Sequence, residues 1–129
     1  MKTPHGAVAW NELMTRDIKA AKAFYTETCG WTYDAMTMDS GNHYYVAMAG
    51  GRPVAGLMDM TGLPGMTEVP PHWFTYFAVD DVDAAVKQTT AKGGEVIRAP
   101  FDVDGIGRIA ILKDSGGAAV GMITEASQG

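Results

Sequence analysis

Hydrophobic and polar residues change their spacing in a regular order along the N-terminal half of the chain. Alternating hydropathy at about Ala7–Met14 predicts a strand. Helical spacing follows, with the Asp17 carboxylate suited to start a helix and Gly30 suited to end it. The apolar helix positions that we expect to face the core are Ile18, Ala21, Phe24 and Tyr25. Further strands are predicted at Trp31–Met38, Tyr44–Ala49 and Pro53–Met58, with a turn at Ser40–Asn42.

The C-terminal half repeats this order of elements. It has a predicted strand at Trp73–Val79, a helix from Asp81 to about Lys92, and strands near Glu95–Arg98, Arg108–Lys113 and Ala118–Thr124. The two halves also match residue by residue at an offset of 64: Trp10 matches Phe74, and Asp17 matches Asp81. We infer a duplication, with module one at about residues 5–60, a Gly- and Pro-rich linker at about 61–71, and module two at about 72–125. Each βαβββ module has one apolar sheet face that its own helix leaves uncovered.

The composition is typical of one ordinary globular domain. The 129 residues are 47% hydrophobic and carry a formal charge of -5, and the 10 Lys and Arg side chains are scattered, which argues against nucleic acid as a partner. No stretch approaches the ~20 apolar residues that cross a bilayer, so no membrane partner is expected. The single cysteine, Cys29, fits a reducing compartment, and the N-terminus lacks the apolar core of a signal peptide. We therefore expect a cytoplasmic protein.

The tandem βαβββ order, with an Asp opening each helix and Phe24-Tyr25 inside the first, resembles the vicinal oxygen chelate superfamily. That superfamily includes glyoxalase I, bleomycin resistance proteins and extradiol dioxygenases. The segments that are most similar to its bacterial glyoxalase-related subgroup are Trp10–Asp17, Gly30-Trp31, Val54–Met58 and Pro70–Trp73. The resemblance covers about residues 6–125. It implies an α+β fold in which two βαβββ modules form cupped mixed β-sheets.

Metal-using members of that superfamily take four ligands from the first and last strands of their two modules. The matching positions in this sequence are Trp10, Gly56, Phe74 and Gly121. Indole, phenyl and glycine offer no side-chain donor suited to a metal. The resemblance therefore implies that this chain holds no metal at the usual centre, and we expect no other cofactor. In place of the metal we expect aromatic stacking surface and open room above the two glycines.

Strand alternation places Trp10, Glu12 and Met14 on one face of the first strand. The repeat mates Phe74 and Tyr76 take the corresponding face of their own strand, and the resemblance implies that this face lines a cavity. Burying a carboxylate among apolar groups is costly unless it is paired or hydrated. Glu12 is thus a candidate acid–base group or ligand anchor. The competing interpretation pairs it with an arginine elsewhere, such as Arg52, Arg98 or Arg108, or exposes it at a sheet edge.

Two tyrosine positions add to this candidate site. Tyr76 is a candidate partner of Glu12 in acid–base chemistry, whereas Tyr44 and Tyr45 are adjacent, so only one of them can share the cavity face. The candidate catalytic residues are therefore Glu12 and Tyr76. The candidate ligand-binding residues are Trp10, Glu12, Gly56, Phe74, Tyr76, Gly121 and a histidine at the mouth of the cavity, His72.

These residues support a leading hypothesis and two alternatives. The leading hypothesis is a metal-free protein that binds a small planar or aromatic molecule in an apolar cavity. One alternative is a lyase- or isomerase-type enzyme in which Glu12 and Tyr76 transfer protons. The other alternative is an enzyme that holds a metal through unusual ligands. The uncovered sheet faces and edge strands also predict a homodimer with isologous contacts.

Overall fold

The computed structural model describes residues 3–37 and 43–126, so the predicted turn at Ser40–Asn42 and the predicted strand end at Met38 lie outside the described residues. The chain forms two compact units. The first unit is residues 10–73, and the second unit combines the described residues before Trp10 with those after Trp73. Neither unit has a helix that is both long and apolar enough to cross a bilayer within the described residues, since α1 has 12 residues and α2 has 10.

The first unit consists of one helix and a four-stranded mixed sheet. Its elements are β1 (Val8–Thr15), α1 (Ile18–Cys29), β2 (Thr32–Thr37), β3 (His43–Ala49) and β4 (Arg52–Asp59). The strand order is β2-β3-β4-β1, and β1 runs parallel to β4 while the other neighbours are antiparallel. The α+β class and the βαβββ order predicted for the N-terminal half are confirmed.

The second unit repeats this arrangement. Its elements are β5 (His72–Ala78), α2 (Val82–Ala91), β6 (Glu95–Val103), β7 (Gly107–Lys113) and β8 (Ala119–Glu125). The strand order is β5-β8-β7-β6, with β5 parallel to β8. The described residues before Trp10 join this unit. The Gly6 N–H donates to the Ala78 carbonyl at 2.7 Å, and the Ala78 N–H donates to the Ala7 carbonyl at 2.9 Å.

Local capping chemistry sets the helix ends. The Asp17 carboxylate accepts a hydrogen bond from the Ala20 N–H at 2.9 Å, and the Asp81 carboxylate accepts one from the Ala84 N–H at 3.2 Å. These bonds satisfy backbone donors that have no partner inside the helix. Gly30 ends α1 in the left-handed region with φ of 72°, which a side chain would disfavour. Both predicted N-caps and the predicted Gly30 C-cap are confirmed.

The helix of each unit covers one face of its sheet. In the first unit the core side chains under α1 are Leu13, Ala47, Ala55 and Leu57, with Ile18, Ala21 and Tyr25 packed against them. The prediction that Phe24 faces this core is wrong, because its side chain is 58% exposed and makes an edge contact with Tyr25. Six residues after Ile18 the helix has turned by about 240°, so Phe24 points away from the core stripe.

The core of the second unit lies under α2 and consists of Val82, Ala110 and Leu112. Strand β6 continues to Val103, past the predicted end at Arg98, with shifts in its register against β7. It can include Pro100 because it is the edge strand of this unit's sheet. The Arg108 guanidinium binds the Asp83 carboxylate of α2 and lowers the pKa of that carboxyl.

The segment predicted as a linker is held against the rest of the first unit by hydrogen bonds. The Met60 N–H donates to the Thr15 carbonyl at 2.9 Å, and the Met60 side chain is fully buried. Three successive turns then follow, in which Leu63, Met66 and Val69 each donate a backbone hydrogen bond to the residue three positions earlier. The Arg16 guanidinium donates to the carbonyls of Met66 and Thr67. This segment thus lies against the first unit through backbone hydrogen bonds and half-buried apolar side chains.

Replacing Asp17 by Ala is expected to lower the free energy of unfolding by about 1 kcal/mol, because the Ala20 N–H loses its acceptor. Asp17→Asn keeps an acceptor and should retain most of this stability. Urea denaturation followed by circular dichroism measures the effect, with Lys19→Ala in the same helical turn as a near-neutral control. Equal midpoints for Asp17→Ala and the wild type would contradict a stabilising role for the cap.

Candidate functional site

The first unit has a sheet face that α1 does not cover, which we call the first open face. The register places Glu12 beside Gly56, Gly56 beside Val46, and Val46 beside Asp34, so these four positions form one row across the sheet. Alternation along the strands adds the neighbouring rows. The side chains of this face are Trp10, Glu12 and Met14 on β1, Gly56 and Met58 on β4, Tyr44, Val46 and Met48 on β3, and Thr32, Asp34 and Met36 on β2.

A hydrogen-bonded pair of aromatic side chains lies above Gly56. The Trp10 indole Nε1–H donates to the Tyr44 hydroxyl oxygen at 2.9 Å. The Tyr44 phenol approaches the Gly56 backbone so closely that a Cβ on residue 56 would overlap its ring carbon and hydroxyl. The same Cβ would lie 3.0 Å from Trp10 Nε1. Glycine at position 56 therefore makes room for the Trp10–Tyr44 pair.

Glu12 lies directly beside this pair. It is one strand away from Gly56 in the register, and its side chain is only 9% exposed. A carboxylate buried to this extent requires polar partners. Glu12 has an interaction partner in this structure. The predicted shared face of Trp10, Glu12 and Met14 is confirmed, because Leu13 between them points into the core under α1.

The second unit has a corresponding face that α2 does not cover, and it contains Phe74, Tyr76 and Gly121. Tyr76 is the register partner of Gly121, and the Tyr76 ring lies so close that a Cβ on residue 121 would overlap it. Phe74 makes an edge contact with the same ring, with centroids 5.1 Å apart, and is itself buried. Each unit thus has a tyrosine packed on a glycine of its last strand.

The expectation of open room above the two glycines is wrong. Tyr44 occupies the space above Gly56, and Tyr76 occupies the space above Gly121. The importance of Tyr44 was not predicted, since sequence alone could not decide between it and Tyr45. The register of β3 decides: Tyr44 faces the open side, whereas Tyr45 faces the helix side, where the Lys22 ammonium lies 4.2 Å from its ring centroid.

The predicted site residues fall into two groups. Trp10, Glu12 and Gly56 belong to the first unit, where they lie together, while Phe74, Tyr76 and Gly121 lie together in the second unit. The proposed acid–base pair of Glu12 and Tyr76 therefore draws one residue from each unit. His72 is half-buried, and its Nδ1 lies 2.8 Å from the Pro70 carbonyl oxygen within the first unit.

The donor chemistry of this site does not fit the metal centre of the superfamily's metal-using members. The four matching positions present an indole, a phenyl ring and two bare backbones, and the phenols above those backbones are not usual ligands of zinc or nickel. Across residues 3–37 and 43–126, no group of three or more His, Cys, Asp or Glu side chains is arranged to hold a metal ion. The side chains present favour stacking, apolar contact and hydrogen bonding.

Comparison with protein families finds one match that covers most of the chain. The model of the Glyoxalase/Bleomycin resistance protein/Dioxygenase superfamily matches residues 7–122. This range contains both tyrosine–glycine contacts and all of the strands except the last three residues of β8.

Curated relatives are longer than this chain. A Mycobacterium tuberculosis protein named "Putative glyoxylase CFP32" is 42% identical over 123 residues, which cover 95% of this chain and 46% of that protein. The anthracycline biosynthesis protein DnrV of Streptomyces peucetius is 35% identical over 130 residues, covering 88% of this chain and 45% of its own length. The chain thus spans about half the length of the curated relatives that it matches.

Solved structures share the fold at low sequence identity. Methylmalonyl-CoA epimerase from Mycobacterium tuberculosis has a TM-score of 0.69 and 16% identity, covering 99% of this chain and 95% of its own. The hypothetical protein BH1468 from Bacillus halodurans has a TM-score of 0.74 and 12% identity, covering 98% of this chain and 99% of its own. At these identities the likeness concerns the fold.

Gly56→Ala is expected to lower the free energy of unfolding by about 1–3 kcal/mol, because the added methyl group must displace the Tyr44 phenol. In a Tyr44→Ala background the same substitution should cost much less, since the obstacle is gone. A double-mutant cycle measured by chemical denaturation gives the coupling between the two positions.

Gly116→Ala is the matched control, because a Cβ there meets only Asp114 Oδ1, at an ordinary distance of 3.5 Å. It should be nearly neutral. Additive effects of Gly56→Ala and Tyr44→Ala would contradict the close approach of the phenol to the backbone.

Proposed function

Because the chain belongs to the Glyoxalase/Bleomycin resistance protein/Dioxygenase superfamily, we propose that it binds a small planar or aromatic molecule on the first open face without a metal. The observation that carries this proposal is the Tyr44 phenol, held by the Trp10 indole, above a bare Gly56 backbone. Aromatic rings thus stand where a metal-using relative would need a donor side chain. In this proposal, stacking and directional hydrogen bonds hold the ligand.

The rest of the first open face supports the same proposal. Met14, Met58 and Met48 lie on the same sheet face as the Trp10–Tyr44 pair, and their thioether side chains are half-buried. Thioethers make favourable contacts with aromatic rings and adapt to irregular shapes. Glu12, a polar residue of the same face, is 9% exposed and can give the ligand an orientation. Apolar walls with a few placed polar groups are the usual composition of a small-molecule site.

The relatives are compatible with such a role. DnrV is by name an anthracycline biosynthesis protein, and CFP32 is by name a glyoxylase. We extend to this chain only the coarser idea that its subgroup acts on small organic molecules. Since the chain spans about half of these relatives, its ligand need not be theirs.

A second candidate function is proton-transfer catalysis, and the burial of Glu12 favours it. A buried carboxylate beside a hydrogen-bonded phenol is an arrangement that can hold and move a proton. Because Tyr44 lies in the same unit as Glu12, it replaces Tyr76 as the companion group in this hypothesis. Turnover of a small carbon acid that Glu12→Gln abolishes, with ligand binding retained, would favour the enzyme over the binding protein.

The first test is metal content. We expect purified protein to contain far less than one equivalent of nickel, zinc, iron or manganese by plasma mass spectrometry, because no donor set stands at the superfamily's usual positions. Chelation with EDTA should leave the melting temperature unchanged. A stoichiometric metal whose removal lowers the melting temperature would contradict the proposal.

The second test is the role of Trp10 in binding. For a planar aromatic compound identified by thermal-shift screening, Trp10→Ala is expected to weaken binding roughly tenfold or more, because the stacking surface and the support of Tyr44 are both lost. Titration calorimetry below the melting temperature of every variant provides the dissociation constants.

Trp31→Ala is the matched control, because Trp31 is also half-buried but stacks on Tyr25 on the helix side of the same unit. It should lower stability without changing affinity. Equal losses of affinity in the two tryptophan variants would place the ligand elsewhere and overturn the proposed site.

A further inference from the structure

Met36 is an exposed apolar side chain at the outer edge of the first open face. It lies on β2, the edge strand of the unit's sheet, and its side chain is 53% exposed. Its register partner on β3 is Tyr44, whose phenol lies above Gly56. A single apolar side chain on a surface needs no explanation, but Met36 continues an apolar surface that begins at the centre of the sheet.

This surface is a row of four side chains that crosses the whole sheet of the unit. Met14 is the register neighbour of Met58, Met58 of Tyr44, and Tyr44 of Met36. The row, which we call the thioether row, therefore spans three strand spacings, or ~14 Å. Its members are three thioethers and one phenol, and both groups pack well against the face of an aromatic ring.

The thioether row becomes more exposed toward its outer end. Its three inner members are half-buried, whereas Met36 is exposed. The charged residues of these strands stand outside the row, since Glu12 and Asp34 belong to the neighbouring row. Arg52 and Asp59 are the first and last residues of β4. The row is thus an uninterrupted apolar strip, and its outer end is open to a ligand.

From this row we infer that the ligand of the first open face has three or more fused rings, and that Met36 determines this size preference. The inference rests on the proposed function and adds the size class of the ligand. A single ring over Tyr44 leaves the ends of the thioether row uncovered. A linear system of three or four fused rings continues from Met58 across Tyr44 to Met36, where it covers a thioether that is otherwise exposed to water.

Three neutral probes that differ in ring number test the inference: benzyl alcohol, 2-naphthalenemethanol and 2-anthracenemethanol. Equilibrium dialysis is expected to show that affinity for the wild-type protein rises with ring number. Met36→Gln keeps the length of the side chain but places a polar amide at the outer end of the row. It should weaken binding of the three-ring probe about three- to tenfold and that of the one-ring probe by less than about twofold. Met36→Leu stays apolar and should bind all three probes as the wild type does.

Ile106→Gln is the matched control, because Ile106 is 52% exposed in the turn before β7 of the second unit. It should leave all three affinities within about twofold of the wild type. If Met36→Gln leaves the three-ring affinity unchanged, or weakens the one-ring and three-ring probes equally, the size inference is overturned. The proposed function still stands in that case if Trp10→Ala weakens the three-ring probe. Binding of none of the probes, or three-ring binding that Trp10→Ala leaves unchanged, would overturn the proposed function together with the inference.

Discussion

The close approach of a phenol ring to a bare backbone organises the uncovered sheet face of each unit. Above Gly56, the Tyr44 hydroxyl accepts a hydrogen bond from Trp10, and above Gly121 the Tyr76 ring makes an edge contact with Phe74. Any residue with a Cβ at position 56 or 121 would push the tyrosine away from the strand. The aromatic surface of each unit therefore depends on a residue that has no side chain at all.

The same contact explains why metal chemistry does not fit this member of the superfamily. A ligating side chain and a packed phenol compete for the same volume above the last strand of each unit. Because the glycine has no side chain, the phenol occupies this volume. In the first unit, the Trp10 indole N–H then donates a hydrogen bond to the Tyr44 oxygen at 2.9 Å. What remains on the first open face is a surface of rings, thioethers and carboxylates. Our proposal is that such a surface binds a small organic molecule.

The helix side and the open side of the first unit differ in which side chains they bury. On the helix side, small and branched apolar residues such as Ala47 and Leu57 are completely buried, and Lys22 is held over a tyrosine ring. On the open side, Glu12 is buried on a face that also carries aromatic and thioether groups, and burial of a carboxylate is costly without a polar partner. Burial of hydrophobic surface therefore stabilises the helix side, and the open side holds the groups on which the proposed function rests.

Periodicity, capping residues and the internal repeat were enough to predict most of the fold. Alternating hydropathy located the strands to within one or two residues at most ends, and Asp17, Asp81 and Gly30 marked helix ends because caps act within a single turn. The main error was the predicted end of β6. Pro100 interrupts the local strand pattern, but a proline is tolerated in a strand at a sheet edge.

The sequence by itself also determined which residue types stand at the superfamily's ligand positions and that Trp10 and Glu12 share a face, because alternation along one strand is a local property. Only the tertiary structure decided that Tyr44, and not Tyr45, joins them, and that the space above Gly56 is filled. The physical reason is that register is set between strands. A shift of one residue in β3 would exchange its two faces, and no pattern within β3 alone reveals which glycine lies opposite.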